Sequence, residues 1–464
     1  MTGRRALDAE LRAVVEAARK KHRVPGTAVG LLMDGRETTI TSGVTSIDNP
    51  LEVNDHTLFM IGSTSKTFAA TAVMALVEQG KVSLDDHVTK HLKDFRLSSK
   101  AATAALKVRH LLTHTGGWDG DVEGPGGWGD ENLAKYVNSL RKQPQETPVG
   151  TVWSYNNTGF AVAGRIVEVI TGRTYERAVR ELVLEPAGLE ETFFAPTDVL
   201  SRRFAVGHVS TPKGPVVAHA WGIDRAGAPA GGVVSTVRDQ LAYARMHMGD
   251  RRGAGGKRVL KARTLRLMQS PQFPAGCFAD HVGISWMIRD VNGVRTVAHG
   301  GNISNLQLST FLMVPERGFA LTVLTNSGTG AALGGAVESW VLEKYLGLKE
   351  QKPNLVDLPL DDLRAYAGRY ESKLLRSDIE LKGKRLSMTT GFNVKPEDFP
   401  EEDRELLRAL LATKPKPVPL GLTASDRLVT LGPGGGSRGE LLRDAPGGDV
   451  KWLRWGGRLL ARVG

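Results

Sequence analysis

The 464-residue chain is too long for one compact core of ordinary size, and its composition, 41% hydrophobic and 24% charged with no low-complexity block, points to two or three globular units. A net charge of +11 and a pI near 9.6 raise the question of nucleic acid. The lysines and arginines are scattered rather than massed with aromatics, which describes a solvated basic surface and excludes the usual nucleic-acid modules. The single cysteine, Cys277, excludes an intrachain disulfide and a cysteine-based zinc site, and no apolar run approaches the roughly 18 to 20 residues a membrane span needs.

From the N-terminus, Leu7, Leu11, Val14, Val15 and Ala18 are spaced as one face of an amphipathic helix. The segment has basic residues but no apolar core of a secretion signal, so cytoplasmic residence is expected unless a leader has been removed. Pro25-Gly26 breaks the helix into a strand (27–33), a turn at Asp34-Gly35 and a second strand (37–43), since Asp-Gly between apolar runs is a hairpin signal. A turn-rich stretch, 49–57, leads into a short strand ending at Gly62-Ser63.

The next stretch organises the chain. Residues 68–77 are apolar on nearly every side of a helical wheel, so the helix from about 66 to Gln79 is expected to be buried all round, with Gly80 as its stop. Ser63 and Lys66 stand on its first turn, three residues apart and on one face. A serine hydroxyl is inert at neutral pH unless a base takes its proton, and a lysine is such a base only when desolvation or neighbouring charge lowers its pKa. Ser-x-x-Lys arises about once or twice by chance in a chain of this length, and here it recurs at Ser139…Lys142 and Ser210…Lys213. Ser139 falls inside an amphipathic helix and Ser210 in a loop before Pro212. Only Ser63 sits between an apolar strand and a buried helix. The same stretch is no phosphate-binding loop, because Met60 and Ser65 occupy positions that require glycine.

The chain then reads as mainly helical to about residue 200. Within it, the glycine-rich loop 116–130, carrying Trp118, Trp128 and four acids, is either a substrate rim or a mobile surface loop. Trp153-Ser154-Tyr155-Asn156-Asn157 places a phenol and a carboxamide two apart ahead of an apolar helix. Thr236 and Asp239 have capping-box spacing before another helix. Strands return over 282–326 and a helix over 331–346 ends at Gly347. Residues 1–347 therefore describe one catalytic α/β domain whose sheet is built from both ends, with a helical insert. Residues 348–359 read as a linker. Residues 360–464 form short alternating runs with turn signals, as in a small antiparallel barrel, interrupted by a charged helix and a Lys-Pro run between Pro396 and Pro419. No catalytic constellation is visible in this second domain.

These motifs resemble the serine β-lactamase and penicillin-binding-protein superfamily, in its class C β-lactamase, family VIII esterase and D-aminopeptidase branch, where Ser-x-x-Lys pairs with Tyr-x-Asn. The resemblance covers about residues 7–346. The family's third motif, a basic residue, any residue, then glycine, matches His299-Gly300-Gly301. What it implies is a β-lactamase-like domain in which Ser63 is the nucleophile and Lys66 its base, Tyr155 carries the proton to the leaving group, and Asn157 holds Lys66 and a substrate carbonyl. The backbone N–H groups of Ser63 and Asn302 would form the oxyanion hole, with Gly300 and Gly301 at the substrate, while the substrate-rim reading of the 116–130 loop adds Trp118 and Trp128 there. Residues 110–117, His-Leu-Leu-Thr-His-Thr-Gly-Gly, look like a structural segment of these hydrolases. No metal or cofactor is called for, and no His-Glu-x-x-His helix is present.

The resemblance departs at His299, where β-lactamases usually carry a lysine that helps bind the antibiotic carboxylate. A histidine fits esterases and D-amino-acid peptidases or amidases acting on a small-molecule or peptide acyl donor. The same two-part architecture, with a C-terminal lipocalin-like barrel, is similar to stand-alone penicillin-binding-protein-type thioesterases, which release and cyclise nonribosomal peptides and meet a peptidyl carrier protein.

Overall fold

A computed structural model describes the chain except residues 1, 123, 250–257, 352, 399–400, 402–403, 405–407, 409–410, 412–414, 433–435, 446 and 464. The expected hairpin forms from Gly26–Met33 and Arg36–Gly43, with Asp34 and Gly35 both at positive φ, 52° and 74°, as a two-residue primed turn requires. Gly26–Met33 pairs antiparallel with Phe319–Thr325, which pairs with Gln307–Val314, and the sheet continues through Val294–Ala298 and Met287–Val291. Its strands thus come from the two ends of the first 347 residues, with the helices inserted between.

Phe319–Thr325 is buried at every position because both faces of the sheet are covered. On the outer face the N-terminal helix Thr2–Lys21 contributes Leu11, Val15 and Ala18 to a cluster with Leu333, Val337 and Val341 of the Gly330–Leu346 helix. On the inner face lies the Val237–His247 helix, capped by the Thr236 side chain on the Asp239 N–H. Behind it the Ser65–Glu78 helix is buried over its whole length to Leu76, with Phe68 stacked on Tyr243 at 3.9 Å between ring centroids. Among the described residues no helix is long and apolar enough to cross a membrane.

The C-terminal part is a closed eight-stranded antiparallel barrel from Gly368–Glu371 to Arg458–Val463. Tyr370, Ile379, Met388, Leu428, Leu453 and Leu460 fill its interior, so it is a packed core. Two elements of this part differ from the sequence reading. Leu360–Tyr366 is a helix that adds Leu363 and Tyr366 to the barrel core, and Val418–Ala424 is a strand with Pro419 at its start, where proline is tolerated. Most of the charged helix expected between Pro396 and Pro419 lies outside the described residues. Ser210 stands in the strand His208–Thr211 rather than a loop, bonded to Ser327.

Candidate active site

The buried helix is preceded by one tight turn, Gly62–Thr64, which presents Ser63 half-exposed at the mouth of a cavity. Two residues on, at Ser65, the helix begins. The turn is fastened to the sheet: Thr64 Oγ1 donates to the His299 carbonyl at 3.0 Å and Ser309 Oγ to the Ile61 carbonyl at 2.7 Å. The approach is so close that a Cβ on Gly62 would lie 2.6 Å from the Asn302 backbone nitrogen, and one on Gly301 only 1.8 Å from the Ile61 oxygen. Gly62 also has φ +52°. Glycine at these two positions is what lets the Ser63 turn and the Gly301–Ile303 strand share one opening, where two N–H donors can converge on an oxyanion.

Lys66 is wholly buried, and its Nζ sits 3.0 Å from Ser63 Oγ. Burial holds the amine well below the ordinary lysine pKa, the positive charge of Arg458 adds to the depression, and Asp121 opposes it. Its second partner is the carbonyl of Ala230, at 2.7 Å. Ala230 belongs to the short helix Ala228–Gly231, whose last carbonyls have no partner inside the helix and are free to accept. This differs from the expected arrangement, since Asn157 does not hold the lysine. Its Nδ2 donates instead to Asp121 Oδ1 at 2.6 Å.

Tyr155 and His299 complete the inner wall. The Tyr155 ring lies 4.9 Å from Lys66 Nζ, and burial raises its phenol above the ordinary value while a hydrogen bond to Ser63 opposes this, so the group remains a proton donor. Behind it His114, at φ +57°, stacks on the ring at 4.4 Å and accepts the Asn156 N–H on Nδ1 at 2.9 Å. The 110–117 segment is therefore the backing of the tyrosine. His299 is buried with its pKa pushed down to about 3 by desolvation and by Lys66, and Nδ1 faces the Gly300 carbonyl. It is uncharged at neutral pH.

The barrel supplies a further residue that sequence reasoning missed. The turn between Val450–Trp455 and Arg458–Val463 enters the site: the Gly457 carbonyl accepts the Tyr155 N–H at 2.8 Å, and Arg458 pairs with both oxygens of Asp121 and lies 5.1 Å from the Tyr155 ring centre. Next to it Leu459 N–H donates to Ser154 Oγ and Arg454 Nε to the Trp153 carbonyl. The C-terminal part thus takes part in the site. Because Arg458 helps depress the Lys66 pKa and its loss also leaves Asp121 without a counter-charge, Arg458→Ala raises the lysine pKa by both routes. The acid limb of kcat/KM is expected to move to higher pH, by about one unit or more. An unmoved limb in a pH–rate profile would reject that coupling.

The cavity measures about 920 Å³ and is lined by Ser63, Tyr155, Asn157, His299, Gly300, Gly301 and Asn302 among others. Of the 116–130 loop it is Asp121, Val122, Gly124 and Gly126 that reach it. Trp118 and Trp128, expected at the substrate, do not line it. Trp118 is buried and donates from Nε1 to Thr158 Oγ1 at 2.7 Å, which makes it a core residue, and Trp128, 42% exposed, leans on Trp221. Among the described residues there is no group of acids, histidines or cysteines arranged to hold a metal ion.

A family model described as Beta-lactamase matches residues 11–342, and the chain belongs to that family of serine hydrolases. It is 33% identical over 368 residues to penicillin-binding protein 4 of Amycolatopsis lactamdurans, covering 77% of this chain and 95% of the relative. A crystal structure of SurE with D-Leu superposes at a TM-score of 0.76 and 24% identity over 99% of this chain and 100% of the other, barrel included. The D-amino acid amidase from Ochrobactrum anthropi SV3, complexed with L-phenylalanine, aligns at a TM-score of 0.60 and 23% identity, over 72% of this chain and 98% of that one. At these identities the two structures establish a shared fold.

Proposed function

We propose that the chain transfers acyl groups from a small ester, or from a D-amino-acid amide or peptide, to water through an acyl-Ser63 intermediate. The observation that carries this reading is the Ser63–Lys66 contact of 3.0 Å inside a buried socket that lowers the pKa of the amine. Ser63 Oγ attacks the carbonyl as its proton passes to Lys66 Nζ. The oxyanion is received by the N–H groups of Ser63 and Asn302, and Tyr155 delivers a proton to the departing alcohol or amine. Water then attacks the acyl ester with the proton route reversed.

The choice of donor rests on charge. With His299 neutral and Arg458 already paired to Asp121, the described site holds no uncommitted cation for the carboxylate of a β-lactam. The similarity to a D-amino acid amidase and to SurE with D-Leu supports donors carrying a D residue. A panel of p-nitrophenyl esters, D- and L-amino-acid p-nitroanilides and benzylpenicillin tests this. Turnover of esters and D-amides with poor hydrolysis of benzylpenicillin is expected, and efficient penicillin hydrolysis would refute it.

The cavity volume favours a second reading with the same first step. A space of about 920 Å³ walled by the barrel turn exceeds what a short ester fills, and suits a peptidyl thioester whose own amine attacks the acyl-enzyme, delivered by a peptidyl carrier protein. Cyclic and linear products separated by mass distinguish the two acceptors.

A further inference from the structure

The cavity does not stop at the catalytic turn. It continues past Leu308 and Thr310 across the end of the sheet, into a space between the first half of the Gly330–Leu346 helix and barrel residues Leu374, Leu375 and Phe392. On the helix side Ala331, Gly335 and Glu338 follow one another at i, i+4 and i+7 and so share a face. The first two leave room: a Cβ added at Gly335 would meet nothing within 4 Å. Glu338 is different. Its side chain is half-buried at the cavity wall, and among the described residues it has no hydrogen-bond or ion-pair partner. Burial raises its carboxyl above the ordinary range, the Arg289 charge opposes that, and Glu350 adds to it. Arg289 is engaged elsewhere, with the Phe278 carbonyl and, at 3.9 Å, with Glu350. Half-buried at the cavity wall and without a protein donor, the carboxylate is open to a charged partner, and a cation on a ligand would supply one.

We propose that this arm binds the part of the acyl donor remote from Ser63, and that Glu338 receives a protonated amine or guanidinium carried on it. The apolar walls take the aliphatic stem of such a group and the carboxylate takes its charged end, as long basic side chains divide their surroundings. The proposal rests on the acyl-Ser63 reading for its orientation toward the nucleophile. It concerns a different end of the cavity.

The test uses the full chain and p-nitrophenyl esters of ω-amino acids of increasing length, each paired with its ω-methyl counterpart. At one chain length the ammonium ester is expected to exceed the methyl ester in kcat/KM by roughly tenfold or more, the usual worth of a hydrogen bond to a charged group. In Glu338→Gln that ratio is expected to fall toward one. Gly335→Leu, which fills open space on the helix, is expected to shorten the preferred chain. Equal rates for the paired esters at every length, or a preference that survives Glu338→Gln, would overturn the assignment. Calorimetric binding of the corresponding ω-ammonium amides to Ser63→Ala separates this proposal from the hydrolase reading. Glu338-dependent binding supports the cation site even if the esters are not turned over, in which case the acyl-enzyme reading is the one that falls. No binding to Ser63→Ala, with turnover of the esters showing no ammonium preference, rejects the cation site alone.

Discussion

Ser63→Ala is expected to lower kcat/KM by on the order of 10⁴ to 10⁶ and to remove labelling by a fluorophosphonate probe, because the covalent step then has no hydroxyl to form the acyl ester. The other two serines that share the Ser-x-x-Lys pattern cannot substitute. Ser139 donates to the Tyr136 carbonyl within its own helix, Ser210 is bonded to Ser327, and neither lines the cavity. Ser63 is half-exposed, and its removal leaves Lys66 with its 2.7 Å bond to Ala230, so the fold is expected to survive with little change in Tm. Labelling that persists in the variant, located by peptide mass at another serine, would sink the assignment of the nucleophile.

Lys66→Ala is expected to cost about 10² to 10⁴ in kcat, the range of a positioned general base. The sign of the pH dependence follows from the direction of the shift. Burial and, to a lesser degree, Arg458 depress the lysine pKa, so the amine is a free base at lower pH than an ordinary lysine, and activity is lost as pH falls and the amine becomes charged. In the variant that acid limb should vanish along with the rate. Small primary amines added to the medium are expected to restore part of the activity, in proportion to the unprotonated amine, since the vacated socket is apolar and opens on Ser63. A merely structural lysine would give no such rescue. Neither would it remove the limb while leaving Tm intact, so the pair of measurements separates the roles.

Much of this architecture was legible because it rests on local periodicity. The all-round apolar run of residues 68–77 specified a buried helix, Asp34-Gly35 a primed hairpin turn, Thr236 and Asp239 a helix start, and Gly347, at φ +68°, a helix stop. The spacing of Ser63 and Lys66 paired them, but that Tyr155 and His299 join them was legible only through the resemblance, since no local spacing connects residues that far apart. Trp118 misled because an indole in a glycine-rich loop has the same composition whether it faces solvent or, as here, Thr158 in the core.

What the chain alone determined, then, is where each element starts and which faces it buries, for these depend on neighbours within one or two turns. The tertiary structure decided which partner each polar group found. Lys66 bonds the Ala230 carbonyl and Asn157 bonds Asp121, although the Tyr-x-Asn motif implied that the two would meet. Arg458 reaches Asp121 across 337 residues, from a barrel with no chemistry of its own in the sequence. A backbone carbonyl carries no residue-specific signal, and a lone arginine at a strand start looks like any solvated charge. Only when the barrel turn closes on the Trp153–Tyr155 segment does that charge come close enough to add to the burial that depresses the lysine pKa.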